Sequence, residues 1–104
     1  YYAAGTAVIG YPRPGSPGWE EAVWRAAVAH EVGHAWWFAH PSADTMRAYQ
    51  AIRGEAMIQP FIEDYADVFS AIVGGTAPPH LRYIGTPPPA EQVEAICAAR
   101  LMPC

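Results

Sequence analysis

The sequence predicts a mostly helical α+β fold in one domain that spans residues 1–104. Three observations lead to this fold class. A long alanine-rich stretch lies between Pro17 and Pro41, the first eleven residues favour extended backbone, and clusters of proline and glycine divide the rest into helix-length segments. With 52% apolar and 15% charged residues, the chain has enough hydrophobic surface to bury a core.

The N-terminal residues 1–11 are expected to form a small strand region, because Val8, Ile9 and the tyrosines favour extended backbone. Residues 12–18 contain three prolines and two glycines and should interrupt that region. The sequence therefore predicts that any strand ends before the first helix begins.

The first helix is expected to run to about Ala39. Ser16 is the predicted N-cap, Pro17 suits the first helical position, and Pro41 ends the helix. This segment carries the residues on which the functional argument depends.

Further helices are predicted in the second half of the chain. Ser42 or Asp44 caps a second helix that ends near Gly54, and residues 55–73 form a third, with a break or a new start at Pro60. Residues 76–89 are expected to be a proline-rich loop with a short strand at 81–84. A last helix over about 88–101 would then be capped by Thr86.

Composition excludes some partners. The net charge is −4 with no lysine and six scattered arginines, so no basic face for nucleic acid is expected. The apolar stretches are too short to span a membrane. The N-terminus lacks a basic region followed by an apolar one, so the chain is expected to begin after a processing site or inside a larger protein.

Two cysteines, Cys97 and Cys104, lie close together near the C-terminus. A disulfide between them is the favoured interpretation and predicts a secreted or extracytoplasmic protein. The alternative is two unpaired thiols.

The informative motif is His30-Glu31-Val32-Gly33-His34, an HExxH sequence. On a helix, His30 and His34 share one face and can hold one Zn²⁺. Glu31 is rotated by about 100° around the helix axis and flanks the metal, where it can act as general base towards water. Gly33 is costly inside a helix, which indicates that another segment crosses closely there.

The first candidate for the third zinc ligand is Glu63. On a helix that starts at Pro60, Glu63 and Asp67 face the same way, so Glu63 can bind the metal and Asp67 can accept a hydrogen bond from a ligating histidine. These residues, with the HExxH motif, resemble the gluzincin pattern of thermolysin-like peptidases and of the very short minigluzincins. The resemblance covers residues 19–39 and 60–73, and it implies a zincin-like fold with Glu63 as ligand and Asp67 as histidine orienter.

Two other candidates for the third ligand stay open. His40 has the metzincin spacing after the HExxH motif, but Trp37 stands where that family usually has a glycine. Six residues of continuous helix rotate by about 600° and carry His40 away from the face of His34, so a sharp turn would be needed. Glu55 is the third candidate, although no acidic residue follows it one turn later.

The resemblance also implies a group that stabilises the oxyanion of the substrate, and His80 or Tyr83 could supply it. The predicted function is therefore a zinc metallopeptidase that acts on peptide or protein substrates. The alternatives are a non-catalytic metal-binding pseudo-peptidase module and a zinc amidase that acts on cell-wall crosslinks.

Overall fold

The computed structural model of the protein describes residues 2–3, 6–7, 15–16 and 19–104. These residues are mostly helical, which confirms the main part of the predicted fold class. The helices are α1 (Glu21–Ala39), α2 (Ala43–Arg53), a 3₁₀ turn (Gly54–Ala56), α3 (Phe61–Ile72) and α4 (Ala90–Ala98).

Among the described residues, the strands lie near the N-terminus. Strand β1 (Tyr2–Ala3) pairs with β2 (Thr6–Ala7) in an antiparallel register, with Tyr2 opposite Ala7 and Ala3 opposite Thr6. Of the strand region expected over residues 1–11, the structure describes these two short antiparallel strands, so the described part forms a pairing and not one continuous strand. This pairing is too small to form a sheet layer, and Val8 and Ile9 lie outside the described residues. The zincin-like fold therefore stays a prediction.

The helix ends in the middle of the chain follow the predicted signals. The Ser42 hydroxyl accepts a hydrogen bond from the Thr45 amide at 3.2 Å, so Ser42 is the cap of α2. Gly54 adopts a φ of 52° where α2 ends, a backbone conformation that glycine takes without strain. Pro60 immediately precedes α3, which confirms a new helix start there.

Two predicted caps are wrong. Helix α1 begins at Glu21 after an extended Glu20 without a side-chain cap, while Ser16 instead accepts a turn hydrogen bond from the Trp19 amide. Pro17 lies outside the described residues. Thr86 does not cap α4, which begins at Ala90 because the preceding consecutive prolines favour extended backbone.

The expected strand at residues 81–84 is also wrong, since these residues form turns. The amides of Tyr83 and Ile84 donate hydrogen bonds to the carboxylate of Asp67, at 2.8 and 2.9 Å. A side chain of α3, not a neighbouring strand, therefore satisfies this part of the loop.

Helix α3 is the centre of the molecule. Its closest packing partner is α1 on one side, and its other side faces the core. That core consists of buried aromatic and aliphatic side chains: Tyr49, Tyr65, Val68, Phe69, Ile96, Leu101 and Met102.

A buried polar cluster fixes the rotation of α3 on that core side. Asp64 is fully buried and accepts two hydrogen bonds from the guanidinium of Arg53, both at 3.0 Å, and one from Tyr49. Arg53 also donates to Gln92 of α4 at 2.8 Å. Because a buried charge pair is costly to break, this cluster holds α2, α3 and α4 in one arrangement.

The C-terminal segment closes the other end of the core. Cys97 and Cys104 form the predicted disulfide, with their Cα atoms 5.5 Å apart. Leu101 and Met102 lie buried inside this loop, and the Tyr65 hydroxyl donates to the Leu101 carbonyl at 2.7 Å. Within the described ranges, none of the helices combines the length and apolar character needed to cross a bilayer.

Candidate metal centre

The two histidines of the HExxH motif lie one turn apart on the buried face of α1. His30 is 8% exposed and His34 is 5% exposed. Their rings meet edge to face, with centroids 4.7 Å apart, and their Nε2 atoms are 3.0 Å apart. The helical spacing that the sequence predicts thus brings both ring nitrogens to one point.

Glu63 reaches the same point from the first turn of α3. Its Oε1 lies 2.8 Å from Nε2 of His34, and its Oε2 lies 3.6 Å from Nε2 of His30. The short reach depends on Gly33, where a Cβ would come within 2.9 Å of Cβ of Phe69 and 3.0 Å of Cα of Ala66. The predicted close crossing at Gly33 is confirmed, and α3 is the crossing segment.

Asp67 lies behind His30, one turn after Glu63 on α3. His30 Nδ1 donates to Oδ1 of Asp67 at 3.0 Å, and Oδ2 accepts the amides of Tyr83 and Ile84. Burial alone would raise the pKa of Asp67, but these hydrogen bonds outweigh it and hold the pKa below its usual value. An ionised Asp67 fixes the proton on Nδ1 of His30, so Nε2 offers its lone pair to the centre.

Among the described residues, none holds Nδ1 of His34 in the way that Asp67 holds Nδ1 of His30. Burial, together with the neighbouring His30, lowers the pKa of His34, so its ring stays neutral near pH 7. Its Nδ1 is buried and has no hydrogen-bond partner among the described residues. Because His30 Nε2 is an acceptor, the proton between the two rings lies on Nε2 of His34.

Glu31 lies beside the histidines on α1 and is partly buried. His30, Glu31 and His34 form a group that can hold a metal ion, each offering one ligand atom within 4.8 Å of the others. Glu63 contacts both Nε2 atoms directly, while Glu31 follows His30 by one residue and approaches from the side. Geometry therefore favours Glu63 as the third contact to a bound ion.

Tyr83 covers the centre from the loop. Its ring stacks on that of His30, with centroids 4.9 Å apart and an interplanar angle of 19°. A hydrogen bond with the Glu63 carboxylate, and to a smaller extent burial, raises the pKa of the Tyr83 phenol. The hydroxyl therefore stays protonated near pH 7 and lies beside the acidic edge of the centre.

His80, the other candidate for oxyanion stabilisation, lies elsewhere. It lines a cleft beside Ala22 and Ala26, in the N-terminal half of α1. The structure thus brings Tyr83, but not His80, to the centre that His30 and Glu63 form.

The two rival ligands are also outside the centre. Helix α1 continues unbroken to Ala39, so the sharp turn that His40 requires is not made. His40 is exposed and lies against Trp36, with ring centroids 5.9 Å apart. Glu55 is exposed in the 3₁₀ turn after α2.

The donor atoms fit a small divalent cation. In a tetrahedral site with metal–ligand distances of about 2.0–2.1 Å, two ligand atoms are about 3.4 Å apart. The contacts among His30, His34 and Glu63 range from 2.8 to 3.6 Å around that value. With its proton on Nε2, His34 donates towards His30 Nε2 and Glu63 Oε1, and a bound cation would take the place of that proton.

No known protein family, curated protein or solved structure matches the chain.

The amides that hold Asp67 and the buried partners of Asp64 were missed by the sequence analysis. Both come from loops or helices distant along the chain, and no spacing pattern links them to α3.

Proposed function

We propose that the chain is a zinc-dependent peptidase. The observation that carries the proposal is the convergence of His30, His34 and Glu63 on one point, with Glu31 beside them. Two imidazoles and one carboxylate form a donor set that zinc hydrolases use, and three protein ligands leave a coordination position open for water. A structural zinc site, which leaves no position open to water, would have four protein ligands.

The donors favour zinc over the hard cations. Magnesium and calcium prefer oxygen ligands, whereas imidazole nitrogens suit zinc and other late transition metals. The Asp67–His30 hydrogen bond fixes the ring of His30 with Nε2 directed to the centre, an arrangement common around zinc-binding histidines. These two features support zinc as the resident ion.

A bound Zn²⁺ supplies a Lewis acid that polarises the scissile carbonyl and lowers the pKa of water towards 7. The Glu31 carboxylate takes the proton of the attacking water and passes it to the leaving amine. The Tyr83 hydroxyl donates a hydrogen bond to the oxygen on which negative charge develops. Because the pKa of Asp67 is low, its carboxylate stays ionised during the reaction and keeps its hydrogen bond to His30.

We propose extracytoplasmic action on peptide or protein substrates. The Cys97–Cys104 disulfide supports this location, because disulfides persist in oxidising compartments. Tyr83, which stacks on His30, is 39% exposed and the Glu63 side chain is 25% exposed, so this edge of the centre borders solvent, from which a substrate could approach.

The test combines metal analysis with hydrolysis. The purified chain should bind one zinc and cleave casein or a mixed peptide library, and Glu31→Gln should keep the zinc while losing nearly all turnover. Glu63→Ala should lose the zinc, whereas the matched His40→Ala variant should keep it. Zinc binding without turnover in the parent would support the non-catalytic module, and cleavage of cell-wall material alone would support an amidase. A parent that binds no added zinc would refute the proposal.

A further inference from the structure

A cleft of about 340 Å³ lies next to the metal centre and has no role in the proposed mechanism. Its floor includes Ala22 and Ala26, which precede His30 at four-residue intervals on one face of α1. At 1.5 Å per residue, these positions lie about 6 and 12 Å from His30 along the helix axis. The cleft therefore begins one helical turn from the candidate metal site.

The opposite wall continues towards the centre as well. It is formed by the chain after α3, from Gly74 to Ala77, and by His80. Three residues later the same loop places Tyr83 on the ring of His30. An extended peptide advances about 3.3 Å per residue, so two to four residues span the distance from the metal centre to this cleft.

The cleft differs from the centre in charge. Of the described residues that line it, Arg25 and His80 are the ionisable ones. The centre itself contains the carboxylates of Glu31, Glu63 and Asp67. A substrate that crosses both regions thus passes from a centre with several carboxylates to a cleft whose charged lining side chain is Arg25, itself paired with Glu21.

The Arg25 guanidinium has more N–H donors than its ion pair with Glu21 uses. Its Nε and Nη2 both donate to Oε1 of Glu21, at 3.2 and 2.7 Å, and its other three N–H groups make no hydrogen bond to another residue in the described part of the chain. That ion pair is exposed on both sides, so it contributes little stability and competes weakly with another carboxylate. His80 can donate one ring N–H in either neutral tautomer.

We propose that this cleft is a substrate subsite for an acidic side chain. Arg25 and His80 would bind a glutamate or aspartate located two to four residues from the scissile bond. The small side chains of Ala22 and Ala26 provide the space for it. This inference rests on the proposed function for its position in the reaction, although the binding itself is testable without turnover.

The kinetic test uses pairs of blocked peptides that carry Glu or Gln at one position, two to four residues on either side of the cleavage site. At one of these positions the parent should prefer Glu in kcat/KM by about tenfold, the factor expected from one charge-assisted hydrogen bond. His80→Gln and Arg25→Gln should reduce the preference towards unity. Ala22→Leu should abolish it by filling the cleft, and Ala22 is exposed, so the fold should tolerate the change.

Arg47→Gln is the matched control, because Arg47 also forms an exposed ion pair one turn away, with Asp44, but on α2. It should leave the preference unchanged. Equal rates for Glu and Gln at every position in an active parent would overturn the inference and leave the peptidase proposal standing.

A binding measurement decides the inference if the parent proves inactive. In NMR titrations the Glu peptide should shift the Arg25 Nε–H and His80 ring signals, and the Gln peptide should shift them much less. Identical shifts for the two peptides, or none, would overturn the inference independently of hydrolysis.

Discussion

Substitution of Asp67 by Asn tests how the candidate metal centre is organised. Asp67 is 2% exposed, and its carboxylate accepts three hydrogen bonds: one from His30 Nδ1 and two from loop amides. Asparagine has the same shape but only one acceptor oxygen. Asparagine can therefore accept a hydrogen bond either from His30 or from the two loop amides, but not from both sides.

Each orientation of the new amide has a definite cost. If its oxygen faces the loop, its NH₂ group faces His30 and moves the ring proton to Nε2, where it blocks metal binding. If its oxygen faces His30, its NH₂ group faces the amides of Tyr83 and Ile84, which then lack an acceptor. Leaving a buried amide without an acceptor destabilises the folded state by about 1–3 kcal/mol for each amide. The first orientation should weaken zinc affinity about 10–100-fold, and the second should mainly lower the free energy of unfolding.

The assay is a zinc titration against a chelating dye near pH 7, together with urea unfolding of the metal-free protein. Tyr65→Phe is the control for general destabilisation, since Tyr65 lies on α3 and bonds the Leu101 carbonyl away from the centre. It should cost about 1 kcal/mol and leave zinc affinity unchanged. If Asp67→Asn kept both the affinity and the stability of the parent, the assigned role of Asp67 would be wrong.

Two further predictions concern the scaffold. Gly33→Ala should lower the free energy of unfolding by about 1–3 kcal/mol, because the added Cβ would meet Phe69 at 2.9 Å. In an open helix the same change would instead stabilise by about 1 kcal/mol, and urea unfolding gives the sign. Burial raises the pKa of Tyr65 to about 12, above the value near 10 of an unfolded chain. The folded state therefore keeps the Tyr65 proton up to a higher pH than the unfolded chain does. The free energy of unfolding should consequently fall by up to about 1.4 kcal/mol per pH unit between pH 10 and 12. Unfolding curves at pH 9 and 11 measure this slope, which Tyr65→Phe should reduce; an equal slope in the variant would contradict the assignment.

Helix α3 explains how so small a chain can hold a buried polar site. Glu63 and Asp67 are four residues apart and face α1, while Asp64 faces the core. The Arg53 guanidinium neutralises Asp64 on that side, and the interaction fixes the helix rotation. A rotation of α3 would remove both carboxylates from His30 and His34 together.

The sequence alone determined the local part of the candidate site. The four-residue spacing of His30 and His34 within an unbroken helix requires that both rings share one face. The same spacing relates Glu63 to Asp67, and Pro60 marks where their helix begins. Such features depend on contacts between near neighbours in the chain, which a single sequence displays directly.

Only the tertiary structure decided which distant segments meet. It placed Glu63 and not His40 against the two histidines, and Tyr83 and not His80 on the ring of His30. These choices depend on how α3 packs on Gly33 and on the amides that Asp67 binds, and residues far apart in the chain create both. Spacing along the chain carries no information about such contacts, because they are set by the packing of whole helices and loops.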